Sequence, residues 1–181
     1  DGPPLRRCAA RRDHSEPLMA ENPPSIDLES VEPYLSGETF DQVVVGSRFR
    51  TASRTVTEAD LIAFVTLAGL TEPLFLDEQG SSAAGYPGRL VPGTLTFAYA
   101  EGLLMQTGAI HNTGIAFLSA NVEVTGPVFV GDTLTVVVEV TEARPTKAGN
   151  RGIVTTRNTV VKRDGSVVMI YHPVRMIRGR Q

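Results

Sequence analysis

The chain has one cysteine, no tryptophan and three histidines among 181 residues. A lone Cys8 excludes an internal disulfide framework. His14, His111 and His172 are scattered, so with Cys8 they offer no metal-ligand spacing, and neither a metal nor a cofactor is expected. Such sparse cysteine fits a reducing setting, with the cytoplasm as the default. No apolar run approaches the ~18 residues that a membrane-spanning helix needs, which argues against a membrane partner. Basic blocks are missing beyond Arg6, Arg7, Arg11 and Arg12, and the formal net charge is −3, which argues against nucleic acid. What remains is 41% apolar and 20% charged, the composition of a globular chain. Its length suits one domain with a full core and is too short for two ordinary ones.

Residues 1–18 do not read as domain sequence. Their arginines alternate with small and acidic residues, and no apolar segment follows, so they do not form a secretory signal. An organelle-targeting arm is the other reading, against which stand three acids and the lack of an amphipathic face. Met19-Ala-Glu-Asn-Pro-Pro reads as a natural start. Residues 1–30 are therefore expected to be a flexible arm, with 1–18 dispensable, and 31–181 the domain.

The domain is organised around Gly88-Arg-Leu-Val-Pro-Gly-Thr-Leu-Thr-Phe-Ala-Tyr-Ala-Glu-Gly-Leu-Leu-Met105. Gly88, Pro92 and Gly93 punctuate a turn. Leu95, Ala98, Gly102 and Met105 then fall on one helical stripe, widened by Phe97, Ala100, Leu103 and Leu104. So many small and apolar residues predict a helix wrapped by a sheet rather than laid on a surface. At its start, the backbone N–H groups of Gly93 and Thr94 have no intrahelical partner and suit a carbonyl oxygen or an anion. An ordinary core helix preceded by a glycine turn is the plainer alternative.

Around this helix the chain alternates strands and turns. Arg48–Val56 is a strand candidate. Thr57 and Asp60 have N-cap spacing, and Leu61, Phe64, Val65 and Ala68 give the apolar face of a short helix ending at Gly69. Residues 70–92 are expected to form a long irregular connection, a feature that is usually functional. After a turn at His111–Gly114, strands are expected at Ile115–Val124, Thr133–Ala143, Gly152–Arg163 and Ser166–Ile177. A loop at Gly126–Asp132 separates the first two, and Asp164-Gly165 is a hairpin turn signal. This order is α+β: an antiparallel sheet wrapped around a central helix.

These parts, in this order, resemble the MaoC-like dehydratases of the hotdog-fold superfamily over roughly Val31 to Arg178. The carriers are Arg54-Thr-Val-Thr-Glu-Ala-Asp60, Ala68-Gly69…Pro73…Asp77, Gly88-Arg-Leu-Val-Pro-Gly-Thr-Leu-Thr96 and Gly126-Pro-Val…Gly131-Asp132-Thr133. The resemblance implies a hotdog dimer acting on acyl thioesters, carried by CoA or acyl-carrier protein, with reversible hydration of an enoyl group. It also implies a thioester carbonyl polarised by the N–H groups of Gly93 and Thr94. Active members carry an aspartate and a histidine in the loop after the first helix, working on a water as base and acid. Here the matching stretch is Gly69-Leu-Thr-Glu-Pro-Leu-Phe75. Leu70 stands at the aspartate position, Glu72 at an asparagine position and Phe75 at the histidine position. Leu70 and Phe75 neither take nor give a proton.

Three readings follow. The first is a hydratase of this class using a displaced acid or base, for which Glu72 and Asp77 are the nearby carboxylates. Their plainer roles are a solvated loop acid and a helix N-cap. In the second, the chain is a non-catalytic acyl-CoA-binding subunit, a homodimer or a hetero-oligomer with another hotdog subunit, whose Leu70 and Phe75 enlarge a dry acyl pocket. The third is thioester hydrolysis by a lone Glu72. In all three the binding residues are expected to be Leu70, Phe75, Arg89, Val91, Pro92, Gly93 and Thr94. Arg89 reads more readily as a clamp across the turn than as a phosphate contact.

Overall fold

In the computed structural model, residues 37–147 and 149–180 are described; the expectations for the N-terminal arm fall outside them. A short 3-10 turn, Phe40–Gln42, leads into β1 (Arg48–Arg50) and β2 (Arg54–Thr55). Four helices follow: α1 (Glu58–Ala68), α2 (Pro73–Leu76), α3 (Glu78–Ala83) and α4 (Gly93–Gln106). Four long strands end the chain: β3 (Gly114–Val124), β4 (Thr133–Pro145), β5 (Arg151–Lys162) and β6 (Val167–Arg178). They form one antiparallel sheet in the order β1-β4-β5-β6-β3, with β2 also on β4. Strand β3 is thus an outer strand.

Period-2 alternation in β4 to β6 builds the core. Leu134, Val136, Val138, Val160, Met169 and Tyr171 point to one face and are all but fully buried. Against them lie Leu95, Tyr99, Ala100, Leu103 and Leu104 of α4, joined by Val56, Leu61 and Val65. The helix is therefore wrapped by the sheet, as expected, but the buried stripe is not the one its sequence suggests. Leu95 is buried, whereas Ala98 is exposed, Gly102 half-buried and Met105 49% exposed. Sheet and α1 cover the flank through Thr96, Tyr99 and Leu103, and one chain leaves the Thr94–Ala98–Met105 flank open.

Local signals mostly do what they predict. Thr57 and Asp60 form a reciprocal capping box, and Gly69 ends α1 in the left-handed region at φ 68°. The hydroxyl and backbone N–H of Thr57 both bond the Asp60 carboxylate, which also receives Arg54 at 2.9 Å. Those hydrogen bonds, Thr57 foremost, hold the Asp60 pKa at about 2, below its ordinary 3.8. A depressed carboxyl pKa stabilises the fold fully above the unfolded value, and the contribution disappears as pH falls from about 4 to about 2. Asp60→Asn is expected to cost about 1 kcal/mol near neutral pH. Urea titrations should show that difference shrinking toward pH 2; a difference independent of pH would remove Asp60 from the acid response.

Three expectations change. The single strand 48–56 is broken into β1 and β2, because the Thr51 hydroxyl accepts from Val136 N at the step between them. The 70–92 connection is not irregular throughout, since α2 and α3 lie within it. Gly80 lets them meet, for a Cβ there would fall 2.0 Å from the Pro73 carbonyl oxygen. In the β5–β6 turn Gly165, at φ 90°, donates its N–H to Lys162 O, so Arg163 and Asp164 occupy the centre. Gly165 takes the left-handed position of a three-residue loop instead.

Candidate functional site

Residues Arg89–Val91 run alongside the Gly126–Gly131 loop. Val91 N bonds Val128 O at 2.8 Å and Val130 N bonds Arg89 O at 3.0 Å. This short ladder fixes where Pro92 turns into α4. Pro92 is buried and supplies no side-chain cap; its carbonyl accepts from Leu95 N and Thr96 N. The N–H groups of Gly93 and Thr94 make no hydrogen bond among the described residues. They are oriented donors at the positive end of a 14-residue helix.

These donors open on a cleft of about 470 Å³ lined by Leu70, Phe75, Pro92, Gly93, Thr94, Phe97, Val122 and Val124. Five of the residues expected at the site, Leu70, Phe75, Pro92, Gly93 and Thr94, are thus brought to one wall. Val91, buried, lines an adjoining cleft with Phe75, Gly93 and Val124. Gly93 is constrained from the far side, since a Cβ on it would lie 3.2 Å from Val124 Cγ2.

Arg89 lies behind this wall. Its Nη1 donates to Glu58 of α1 at 2.6 Å and its Nη2 to the Phe75 carbonyl at 3.1 Å. Ser81, wholly buried, adds a second tie: its hydroxyl donates to Leu74 O and accepts from Leu90 N. Together they hold α2 and Phe75 against the helix entrance.

Glu72 and Asp77 are placed differently. Both are exposed and neither lines the cleft. Glu72 is the residue before α2 and makes no side-chain capping bond. Asp77 caps α3, accepting from Gly80 N at 2.6 Å. Among the described residues, the cleft lined by Leu70, Phe75 and Gly93 therefore has polar backbone, one threonine hydroxyl and no ionisable side chain, and Tyr86 lines the adjoining one.

Sequence reasoning passed over a buried polar group beyond Phe97. Glu101 of α4 accepts from Arg175 Nη2 at 2.5 and 2.6 Å and from the Tyr171 hydroxyl at 2.8 Å. Arg175 is 6% exposed and Tyr171 wholly buried, and burial pushes the phenol well above its ordinary range. The signal was present: Glu101 is the one charged residue in α4, and Arg175 falls on the buried face of β6 with Met169, Tyr171 and Ile177. The Phe97 ring meets Tyr171 edge-on at 5.0 Å, separating this group from the cleft.

An antiparallel sheet curled around one long helix, with that helix's N-terminus open to an apolar cleft, defines a hotdog protein. The chain belongs to the MaoC-like family: the model described as MaoC like domain matches residues 41–162. A tomato (Solanum lycopersicum) relative, the mitochondrial 3-hydroxyacyl-[acyl-carrier-protein] dehydratase FERN, is 28% identical over 134 residues, covering 74% of this chain and 77% of the relative. The (R)-hydratase of A. caviae, involved in PHA biosynthesis, superposes with a TM-score of 0.63 at 28% identity, over 74% of this chain and 96% of that one. A Mycobacterium tuberculosis protein with a double hotdog fold superposes at 0.70 with 25% identity, over 80% of this chain but 45% of that one.

Proposed function

We propose that this chain is an acyl-thioester-binding subunit of the dehydratase class whose acid and base come from a second hotdog chain. The observation that carries this reading is the lining of the cleft: Leu70 and Phe75 stand beside the free N–H groups of Gly93 and Thr94, with no ionisable side chain among the lining residues. Those donors suit a thioester carbonyl, and the apolar wall suits an acyl chain. Water activation needs a group that moves a proton, and leucine and phenylalanine supply none.

The second chain joins through β3. This outer strand is 11 residues long and exposes Ile115, Phe117, Leu118, Val122 and Val124, an apolar edge that a chain alone leaves in water. The open flank of α4 at Thr94, Ala98 and Met105 adds to it. Pairing there sets a partner beside the cleft, since Val122 and Val124 line it. Either a second copy or a complementary chain covers this edge; only a chain with an acid/base pair completes the site.

The test is an assay of the purified protein with a panel of enoyl-CoA and enoyl-pantetheine thioesters, alone and with any co-purifying hotdog chain. Binding without hydration alone, and hydration with the partner, is the expected result. Turnover by the isolated chain that disappears in Glu72→Gln would instead establish a displaced base, with hydration or thioester hydrolysis told apart by product. Gly93→Val is expected to weaken thioester binding by about tenfold or more, because the branched side chain crowds Val124 and the carbonyl position. Calorimetric titration reads this directly, and unchanged affinity would move the thioester away from α4.

A further inference from the structure

A second cleft lies at the other end of α4, about 20 Å along the helix from Gly93. Its enclosed part, about 60 Å³, is walled by Val43, Leu104, Ile110, Val138, Val140 and Val154. Ile177 and the buried Thr156 and Arg175 also line it. It widens into an outer cleft of about 480 Å³, and Glu38, Phe49, Ala109 and Val140 line both parts. The rim is fixed by backbone: Glu38 N bonds Ala109 O at 2.9 Å and Gly37 N bonds His111 O at 3.0 Å.

Arg175 gives this apolar shaft its chemistry. Glu101 engages Nη2 alone, and among the described residues Nε and Nη1 have no acceptor. A guanidinium with its charge matched and donors to spare, lining an apolar cavity, calls for a hydrogen-bond acceptor. It does not call for a further negative charge, because Glu101 already balances it and a second carboxylate would be buried unpaired. An ammonium group is repelled by the buried Arg175, and the one carboxylate of the lining, Glu38, is exposed. The inner volume, at the ~30 Å³ that a water occupies in the liquid, holds about two such groups, and a longer chain extends into the outer cleft.

We propose that the cleft at the C-terminal end of α4 is a second binding site, for a small neutral carbonyl compound whose short apolar chain lies against Val140 and Val154 and whose oxygen accepts from Arg175. It is separate from the thioester cleft and stands or falls independently of the reading above.

The test uses butanamide as the probe, with butanoate and butylamine as charged controls, on the full chain labelled at Ile, Leu and Val methyl groups. Butanamide is expected to shift the methyl signals of Ile110, Val140 and Val154 saturably in the millimolar range, leaving Val122 and Val124 unmoved. Butanoate should bind at least about tenfold more weakly, because it adds an unmatched buried charge. Ala109→Leu places bulk where the shaft meets its mouth and should abolish the shifts while the spectrum stays folded. The double variant Glu101→Gln/Arg175→Met keeps the site neutral and should weaken butanamide by tenfold or more, the loss of a hydrogen bond to a charged donor. Absence of saturable shifts in the wild type, or shifts unchanged in either variant, would overturn the proposal. Equal binding of butylamine would overturn it as well, since no acceptor is then being recognised.

Discussion

Replacing Leu70 by aspartate and Phe75 by histidine together is expected to give the isolated chain enoyl-thioester hydration, raised by on the order of 10²–10⁴ over the unmodified protein. Both side chains already line the cleft with Gly93 and Thr94. The new groups would therefore face a thioester whose carbonyl is held by those N–H donors. The backbone framework stays in place: Arg89 grips the Phe75 carbonyl rather than its ring, and the Ser81 hydroxyl takes the Leu74 carbonyl. Each single substitution should give far less than the pair, since a base without its acid partner completes only part of the proton transfer. The assay follows loss of the enoyl absorbance at fixed protein concentration, with thioester affinity measured in parallel. Retained affinity without any gain in rate would show that the acid/base pair is not the missing part. The reading of this chain as one that lacks only its acid and base would then fail, while the place of the thioester would still be decided by Gly93→Val.

That experiment rests on features that were legible in the sequence for a physical reason. Turn chemistry and period-2 alternation are local, so the cap at Thr57 and Asp60, the stop at Gly69 and the strands from Gly114 onward follow from neighbouring residues. The entrance at Pro92-Gly93-Thr94 was legible for the same reason. Which flank of α4 is buried was not. Its small and apolar residues surround the helix, so periodicity alone chooses no face, and only the placement of α1 and the sheet selects Tyr99 and Leu103 over Ala98 and Met105. The helix at 73–76 was missed, and the one at 78–83 was legible only through its cap at Asp77, because the stability of both is tertiary. Four and six residues are too short to be helical alone, and Gly80 inside α3 weakens any local signal while permitting the contact with Pro73. Glu101 and Arg175 are 74 residues apart, and only β6 lying across α4 makes them a pair.

That pair carries the second large effect. Arg175→Met alone is expected to destabilise the fold by about 3 kcal/mol, the lower end for breaking a buried ion pair, because Glu101 keeps 19% of its side chain exposed. The methionine fills the stem's volume, so the loss reports on the carboxylate left behind rather than on a cavity. Tyr171 cannot replace the guanidinium, for one neutral hydroxyl donor at 2.8 Å does not match a charge. Glu101→Gln alone should cost at least as much, because the Arg175 side chain is 7% exposed and has less access to water than its partner. The double variant removes both charges and keeps an amide that can still accept from Tyr171, so most of the loss should be recovered. Urea unfolding of the four proteins, at an unchanged slope, gives the coupling energy as the departure from additivity. A coupling of about 2 kcal/mol or more is expected, and additive single losses would mean that the two side chains are stabilised by their surroundings separately. The outcome also bears on α4 itself: Glu101 lies between the helix entrance at Gly93 and the second cleft at Ala109, and its bond to Arg175 pins the middle of the helix to β6. Loosening it should therefore be felt at both ends, which methyl spectra of Val124 and Val140 in the single variants would register.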